Sequence, residues 1–236
     1  MTHVDRQPVD VALARRQWQG YVDALHAEGW STVEVEPADD CPDAVFVEDT
    51  VVVYGDLAVV SRPGADARKP ETDGTELALR DLGYRIAHVV APGTLDGGDV
   101  LKHDGTVWVG RGGRTNDAGI AQLAEHLAPL GVDVVAVPTS RVLHLKSAVT
   151  ALPDGTVLGH EPLVDDPSVG PAFLPVPEES GAHVVLLDAE TVLMSTGAPR
   201  TRDLLELRGL RVVAVDIGEF EKLEGCVTCL SVRLRG

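Results

Sequence analysis

The chain carries two of its three cysteines close to its end, in Glu224-Gly225-Cys226-Val227-Thr228-Cys229-Leu230. Three other short stretches concentrate groups that can do chemistry. PDAVFVEDT offers Asp43, Glu48 and Asp49; LDGGDV offers Asp96 and Asp99 around two glycines; LHLKS offers His144 and Lys146. A cysteine becomes a strong nucleophile when a base or a positive field favours its thiolate. A histidine can protonate a departing amine and then activate water, and an acid behind it sets its tautomer and orientation. Further acids suit a planar guanidinium, which they grip with paired, charge-assisted hydrogen bonds. Arginines close by would hold a carboxylate in the same way.

Each stretch also has a plain structural role open to it. Glu48-Asp49 could edge a hairpin and Asp-Gly-Gly-Asp could be a turn. His144, between leucines, could be a core histidine, and Cys229 a small buried hydrophobe. The functional role gains weight because the four stretches fall in successive repeats at matching places. Cys226 and Cys229 also have the C-x-x-C spacing of redox and zinc sites. Structural zinc wants four ligands, yet Cys41 stands alone and no His-x-x-x-His accompanies the pair. A redox C-x-x-C opens a helix after a strand, whereas this one lies in a β-rich run. On a strand, residues three apart face opposite sides, so one cysteine at most would enter a pocket.

Those residues must be positioned by a repeating scaffold. Hairpins are predicted at 46–62 (turn at Tyr54-Gly55-Asp56), 98–111 (turn at Asp104-Gly105), 145–160 (turn at Pro153-Asp154-Gly155) and 183–195. Asp-Gly between β-rich runs is a strong hairpin signal. A helix is predicted over 10–29, with Val11, Ala14, Trp18, Val22 and Leu25 on one face, capped by Asp10 and stopped by Gly29. It leads into a strand, TVEVE. TELALRDLG precedes the strand YRIAHVV. TNDAGIAQLAEHLAPLG, with Asn116 as cap and Ile120, Leu123, Leu127 and Leu130 on one face, precedes VDVVAVP. TRDLLELRG precedes LRVVAVD, and the Pro-rich stretch 161–180 is read as mostly loop. Helix, strand and hairpin thus recur about five times at roughly 40–50 residues, the period of a propeller or array. A single domain over residues 1–236 follows. The last strand, TCLSVRL, lacks a partner, and a closing strand before Pro8 is expected to be missing.

The length, 236 residues, supports a substantial core. No apolar run is long enough to span a bilayer, and the first residues do not read as a secretory signal. A soluble, cytoplasmic protein is expected. Its formal charge of −17 repels nucleic acid and anionic membranes and favours the approach of a small cation.

These stretches, with SRPGADARK and GRTN, resemble the dimethylarginine dimethylaminohydrolase family of the guanidine-modifying superfamily over nearly the whole chain. The resemblance implies an α/β fold, the five-bladed αβ propeller called a pentein. It implies Cys229 as nucleophile, His144 as general acid and base, and Asp96 as the group that orients His144. Glu48, Asp49 and Asp43 would meet the substrate guanidinium. Arg68 and Arg114 would hold its carboxylate, and the backbone of Leu223 its amine. The implied reaction converts Nω-methylated arginine to citrulline and methylamine or dimethylamine through a covalent thiouronium. No metal or other cofactor is implied. The expected partner is a small cationic amino acid, and a homodimer is compatible. Arginine and agmatine deiminases share the fold, but arginine deiminases typically carry an acid where this chain has Lys146. A non-catalytic propeller would not need the Cys, His and acid set.

Overall fold

The computed structural model describes residues 7–103, 105–168, 170 and 172–234. In chain order these form α1 (Val11–Ala27), β1 (Val51–Tyr54), β2 (Leu57–Val60), α2 (Thr72–Asp81), β3 (Arg85–His88), β4 (Val100–His103), β5 (Thr106–Arg111) and α3 (Asp117–Leu127). They continue with β6 (Asp133–Pro138), β7 (Val149–Ala151), β8 (Thr156–Gly159), β9 (Ala172–Pro175), β10 (Val184–Leu186), β11 (Thr191–Ser195), α4 (Pro199–Leu207), β12 (Arg211–Val215) and the short α5 (Gly218–Glu221). Two compact units result: one of residues 1–32 and 147–228, the other of 33–146 and 229–236.

All four sheets have one design. An antiparallel hairpin is joined by a third strand that runs parallel to the hairpin's second strand. In the first sheet Val51 faces Val60, and Leu57 faces Arg85. Hairpin turns occur at the predicted places, and Gly55, Gly105 and Gly155 all adopt positive φ there, which only glycine does without cost. Asp104, predicted beside Gly105, lies outside the described residues, as do residues 1–6. A parallel strand cannot follow its neighbour through a tight turn, so a connection must cross between them. In three of the sheets a helix makes that crossing. In the remaining sheet, β7–β8–β9, the Pro-rich stretch does so, and it ends in β9, a strand that the sequence reading took for loop.

Along the chain the expected order of helix, strand and hairpin holds, as in α2–β3–β4–β5 and α3–β6–β7–β8, but each sheet groups a hairpin with the crossover strand that follows it. This grouping explains two corrections. Thr32–Glu36 follows α1 but no described hairpin precedes it, so its backbone finds no ladder and it forms no strand. Residues 228–234, expected as the last strand, form a turn and irregular chain. Here the carbonyl of Cys229 accepts from Glu48 N–H at 3.2 Å, a bond to a turn rather than to a strand. The side-chain alternation nonetheless survives, because Val232 and Leu234 pack on Val51, Val53, Ala58 and Leu79.

In the second unit β1 is apolar throughout because both its faces are covered. Val51 and Val53 join the cluster just named, while Val52 joins one with Leu57, Val59, Val107, Val109, Leu123 and Leu127. Each such side chain contributes about 1.5–3 kcal/mol of burial. Asn116 caps α3 as predicted, accepting from Gly119 N–H at 2.9 Å. Ile120, Leu123 and Leu127 are buried, but Leu130 falls in a following turn and is exposed.

In the first unit Asp10 caps α1, accepting from Leu13 N–H. The inner face of α1 is rotated from the predicted one. Gln17, Tyr21 and Leu25 are buried, whereas Val11 is exposed. Hydrogen bonds decide this. Gln17 donates to Asp216 and accepts from Glu219 N–H, both at 2.8 Å, and the Tyr21 hydroxyl donates to the carbonyl of Val227 at 3.0 Å. The core of this unit gathers Leu152, Leu158, Val192, Met194 and Leu205.

Candidate active site

Three short 3-10 turns carry the predicted groups, and each stands at the entrance to a hairpin. Val47–Thr50 leads into β1, Gly97–Asp99 into β4, and Leu145–Ser147 towards β7. Glu48, Asp49, Asp96, Asp99 and His144 are all buried in the second unit.

His144 is the centre of the array. Its Nε2 donates to Asp96 Oδ2 at 2.9 Å, and its Nδ1 lies 3.7 Å from Asp49 Oδ1. Asp96 also accepts from Gly64 N–H at 2.8 Å. Asp99 holds the turn from behind: it accepts from Leu145 N–H at 2.9 Å and from the Thr115 hydroxyl at 2.6 Å. The glycines of LDGGDV make room for this approach. A methyl group on Gly97 would collide with the carbonyl of Glu48, and one on Gly98 would stand 2.5 Å from Asp49 Oδ1 and 2.7 Å from His144 Nδ1. Gly98 N–H instead donates to Asp49 at 2.8 Å.

Burial pulls the His144 pKa down, but the charge of Asp49, the hydrogen bond to Asp96 and the nearby Asp99 outweigh it and push it up to about 9. The imidazole is thus held protonated at neutral pH, ready to give a proton. Burial raises Asp99 to about 6, despite the opposing charge of His144. For Asp49, burial alone would raise the pKa, yet His144 and Arg68 together hold it below the usual carboxylate value. Asp49, Asp96 and His144 could also meet as metal ligands, since their ligand atoms lie within 4.8 Å of one another. An imidazolium offers no lone pair, so a metal would have to displace that proton.

Arg68, expected to hold a substrate carboxylate, is enclosed by carboxylates of the array. It is 4% exposed. Its Nη1 donates to Asp49 at 2.5 Å, its Nε and Nη2 to Glu71 at 2.7–3.1 Å, and Nη2 also to the carbonyls of Asp43 and Phe46 at 3.3 Å. A buried guanidinium must be paired, and Glu71, three residues on in the same turn, was available in the sequence but not picked out. Asp43 is partly buried and meets the array through that carbonyl. Arg114 lies beside Asp96, with Nη1 3.7 Å from Oδ2. That nitrogen is buried without a hydrogen-bond partner, as is Glu48 Oε2.

Glu48 Oε1 forms an ion pair with Lys146 Nζ at 2.7 Å and accepts from Arg233 at 2.6 Å. Lys146 stands among the chemistry-bearing groups of the sequence, beside His144 but with no role assigned to it, whereas Arg233 carried no local signal. Cys229 joins this unit through its carbonyl bond to Glu48 N–H, and 8% of its surface stays open. It lies in a turn, so the opposite-face reasoning for a strand does not separate it from Cys226. Cys226 belongs to the first unit and has its Sγ 3.2 Å from the Thr228 hydroxyl. None of the three cysteines is in a disulfide. Leu223, also in the first unit, uses its N–H on Phe220 O at 2.9 Å.

The repeated three-stranded sheets and a buried Asp–His–Asp array, with a cysteine in the same unit, define an α/β protein equipped for thiol and imidazole chemistry. No protein-family model matches the chain. Curated relatives do. It is 64% identical over 235 residues to the N(G),N(G)-dimethylarginine dimethylaminohydrolase of Streptomyces coelicolor, covering 100% of this chain and 91% of that one. It is 32% identical over 228 residues to that of Pseudomonas aeruginosa, covering 95% and 89%. Among solved structures, the Pseudomonas aeruginosa protein as a cysteine-to-serine variant complexed with citrulline has a TM-score of 0.92 at 31% identity, covering 99% of this chain and 93% of that one. A histidine-to-glycine variant of dimethylarginine dimethylaminohydrolase, an adduct with S-methyl-L-thiocitrulline, also has a TM-score of 0.92, at 30% identity. The chain belongs to the dimethylarginine dimethylaminohydrolase family and has its fold. Among the described residues no helix is long and apolar enough to cross a membrane.

Proposed function

We propose that this protein hydrolyses Nω-methylated arginine to citrulline and dimethylamine or methylamine, with Cys229 as nucleophile and His144 as acid and then base. The observation that carries this reading is the Asp49–His144–Asp96 array, in which two carboxylates keep a buried imidazole charged. The thiolate of Cys229 attacks the guanidinium carbon and forms a C–S bond. The C–N bond to the methylated nitrogen breaks as that nitrogen takes the proton of His144. A cationic thiouronium remains. Neutral His144 then draws a proton from water, whose oxygen attacks the same carbon. Breaking the C–S bond releases citrulline, whose hydroxyl proton passes to solvent and is taken up by the departed amine, and restores thiolate and imidazolium. Asp96 keeps the ring oriented through both steps, and Asp49 stabilises its charged form.

The unpartnered atoms suit this substrate. Glu48 Oε2 is a buried acceptor that lacks a donor, and Arg114 Nη1 a buried donor that lacks an acceptor. An amino acid with a guanidinium at one end and a carboxylate at the other brings one of each. In this reading Arg114 takes the carboxylate and Glu48 the guanidinium. Asp49 also faces the guanidinium, with Arg68 bracing it from behind. We place the reaction in the cytoplasm, where cysteines outside disulfides persist.

Citrulline production from dimethylarginine, monomethylarginine and arginine, by wild type and Cys229→Ser, tests the proposal. Turnover of the methylated substrates should fall by about 10³-fold or more in the variant. Retained turnover would remove Cys229 as nucleophile. Arginine turned over as well as the methylated substrates would make the protein a deiminase of this fold.

A further inference from the structure

Glu48 ties together the segments that carry the two reacting groups. Its main-chain N–H binds the carbonyl of Cys229. Its side chain binds Lys146, two residues beyond His144, and Arg233, four residues beyond Cys229. Its neighbour Asp49 faces the His144 ring. The side chains of Glu48, Lys146 and Arg233 are 5%, 10% and 21% exposed. Desolvating three charges is costly, and one pair would already satisfy a carboxylate. Two cations on one oxygen is more than stability requires, and it leaves Oε2 unmet.

We infer that Lys146 and Arg233 are positioning residues for catalysis. Through Glu48 they clamp the His144 turn to the Cys229 segment and so set the separation of imidazolium and thiolate. This rests on the hydrolysis proposed above. The alternation at the chain end fits such a role, since Val232 and Leu234 anchor in the core while Arg233, between them, turns to Glu48. The separation so held decides whether the His144 imidazolium supplies the positive field that a reactive thiolate needs, so a slack clamp weakens both the geometry and the thiolate.

The test uses the full chain with Lys146→Met, Lys146→Arg and Arg233→Met. Turnover of dimethylarginine, thermal melting and the pH dependence of Cys229 alkylation by iodoacetamide are measured, with Cys229→Ser as the blank. Lys146→Met should lower kcat by about 10–100-fold with KM changed less than about threefold, because geometry of the reacting groups is lost rather than binding. Lys146→Arg should restore most of it. The midpoint of alkylation should move up in both Met variants. A merely structural pair would lower melting without moving that midpoint. The inference is overturned if kcat per folded molecule in Lys146→Met stays within about twofold of wild type. An unchanged midpoint in the Met variants overturns it equally. Should Lys146→Met fail to fold, Arg233→Met decides on the same two readouts. If wild type turns over no methylarginine, the hydrolysis reading fails, while the alkylation profiles still judge the clamp.

Discussion

The two units bury their polar groups by opposite means. In the first unit most of the buried polar groups are neutral (hydroxyls, an amide and an imidazole), and the buried carboxylate of Glu219, paired with Lys222, is the exception. Thr150 donates to Ala182 O at 2.7 Å and accepts from Val184 N–H at 3.2 Å; His183 pairs with Ser147 O at 2.9 Å. In the second unit they are charges held by charges: Asp49 with Arg68, Glu71 with Arg68, His144 with Asp96, Glu48 with Lys146 and Arg233. Of the four buried side-chain atoms left unpartnered among the described residues, three (on Glu48, Ser61 and Arg114) lie in the second unit and one (on Glu221) in the first. Neutral groups bonded to backbone stabilise at little desolvation cost. Buried ion networks seldom do, and strongly perturbed pKa values cluster where chemistry occurs. The contrast assigns folding to one pattern and catalysis to the other.

Substitutions can break that contrast. The largest effect is expected at Gly98, where an added methyl would press on Asp49 and His144 together. Gly98→Ala should cut kcat by about 10²-fold or more by displacing the ring, and cost about 1–3 kcal/mol through overpacking. Steady-state kinetics beside urea unfolding separates the two losses.

A second effect is in pH. His144 has a folded pKa of about 9 against an ordinary 6.5, so its contribution to stability is complete below 6.5 and lost as pH rises through 9. Asp99, raised to about 6 from 3.8, has the same sign: its contribution is lost as pH rises through 6. Asp49, lowered from 3.8, contributes above that value and loses its contribution as pH falls through its folded pKa. Unfolding free energy should therefore decline between pH 6.5 and 9. The limiting slope is about 1.4 kcal/mol per pH unit for each proton released. His144→Gln should flatten that decline. Over the same range kcat/KM should fall as pH passes about 9, when the imidazolium proposed to protonate the leaving amine is lost.

The smallest effect sharpens the comparison from the other side. Glu178 in the first unit accepts from the N–H groups of Arg200 and Thr201 and from the Thr201 hydroxyl, closing the start of α4. Glu178→Ala should cost about 1–2 kcal/mol of stability. Activity per folded molecule should be unchanged. A loss of activity there would mean that the division between the units does not hold.

Much of this was legible in the chain. The Asp-Gly and Tyr-Gly-Asp turns announced the hairpins, and Asp10 and Asn116 announced two helix starts, because those signals are local. Asp96 and His144 were paired in advance through the family resemblance. What escaped notice depended on partners far along the chain. β9 has a Pro-rich sequence that reads as loop, yet β8 lends it a ladder. Thr32–Glu36 and 228–234 alternate like strands, yet no ladder receives them. The face of α1 turned on Asp216 and Glu219, which are some two hundred residues distant.

The sequence alone determined the types of the proposed reacting groups, their order and the turns that carry them, since each follows from residues within a few positions. It also determined that Gly97 and Gly98 stand where two acids converge, although not why. Only the tertiary structure decided which charge each carboxylate meets. A buried carboxylate takes the cation that packing delivers, and for Glu48 those are Lys146 and Arg233, from two segments that lie far apart in the sequence. For the same reason Arg68, whose residue type suits a substrate carboxylate, is committed to Asp49 and Glu71. Desolvation forces every buried charge to find a partner, and the fold chooses which.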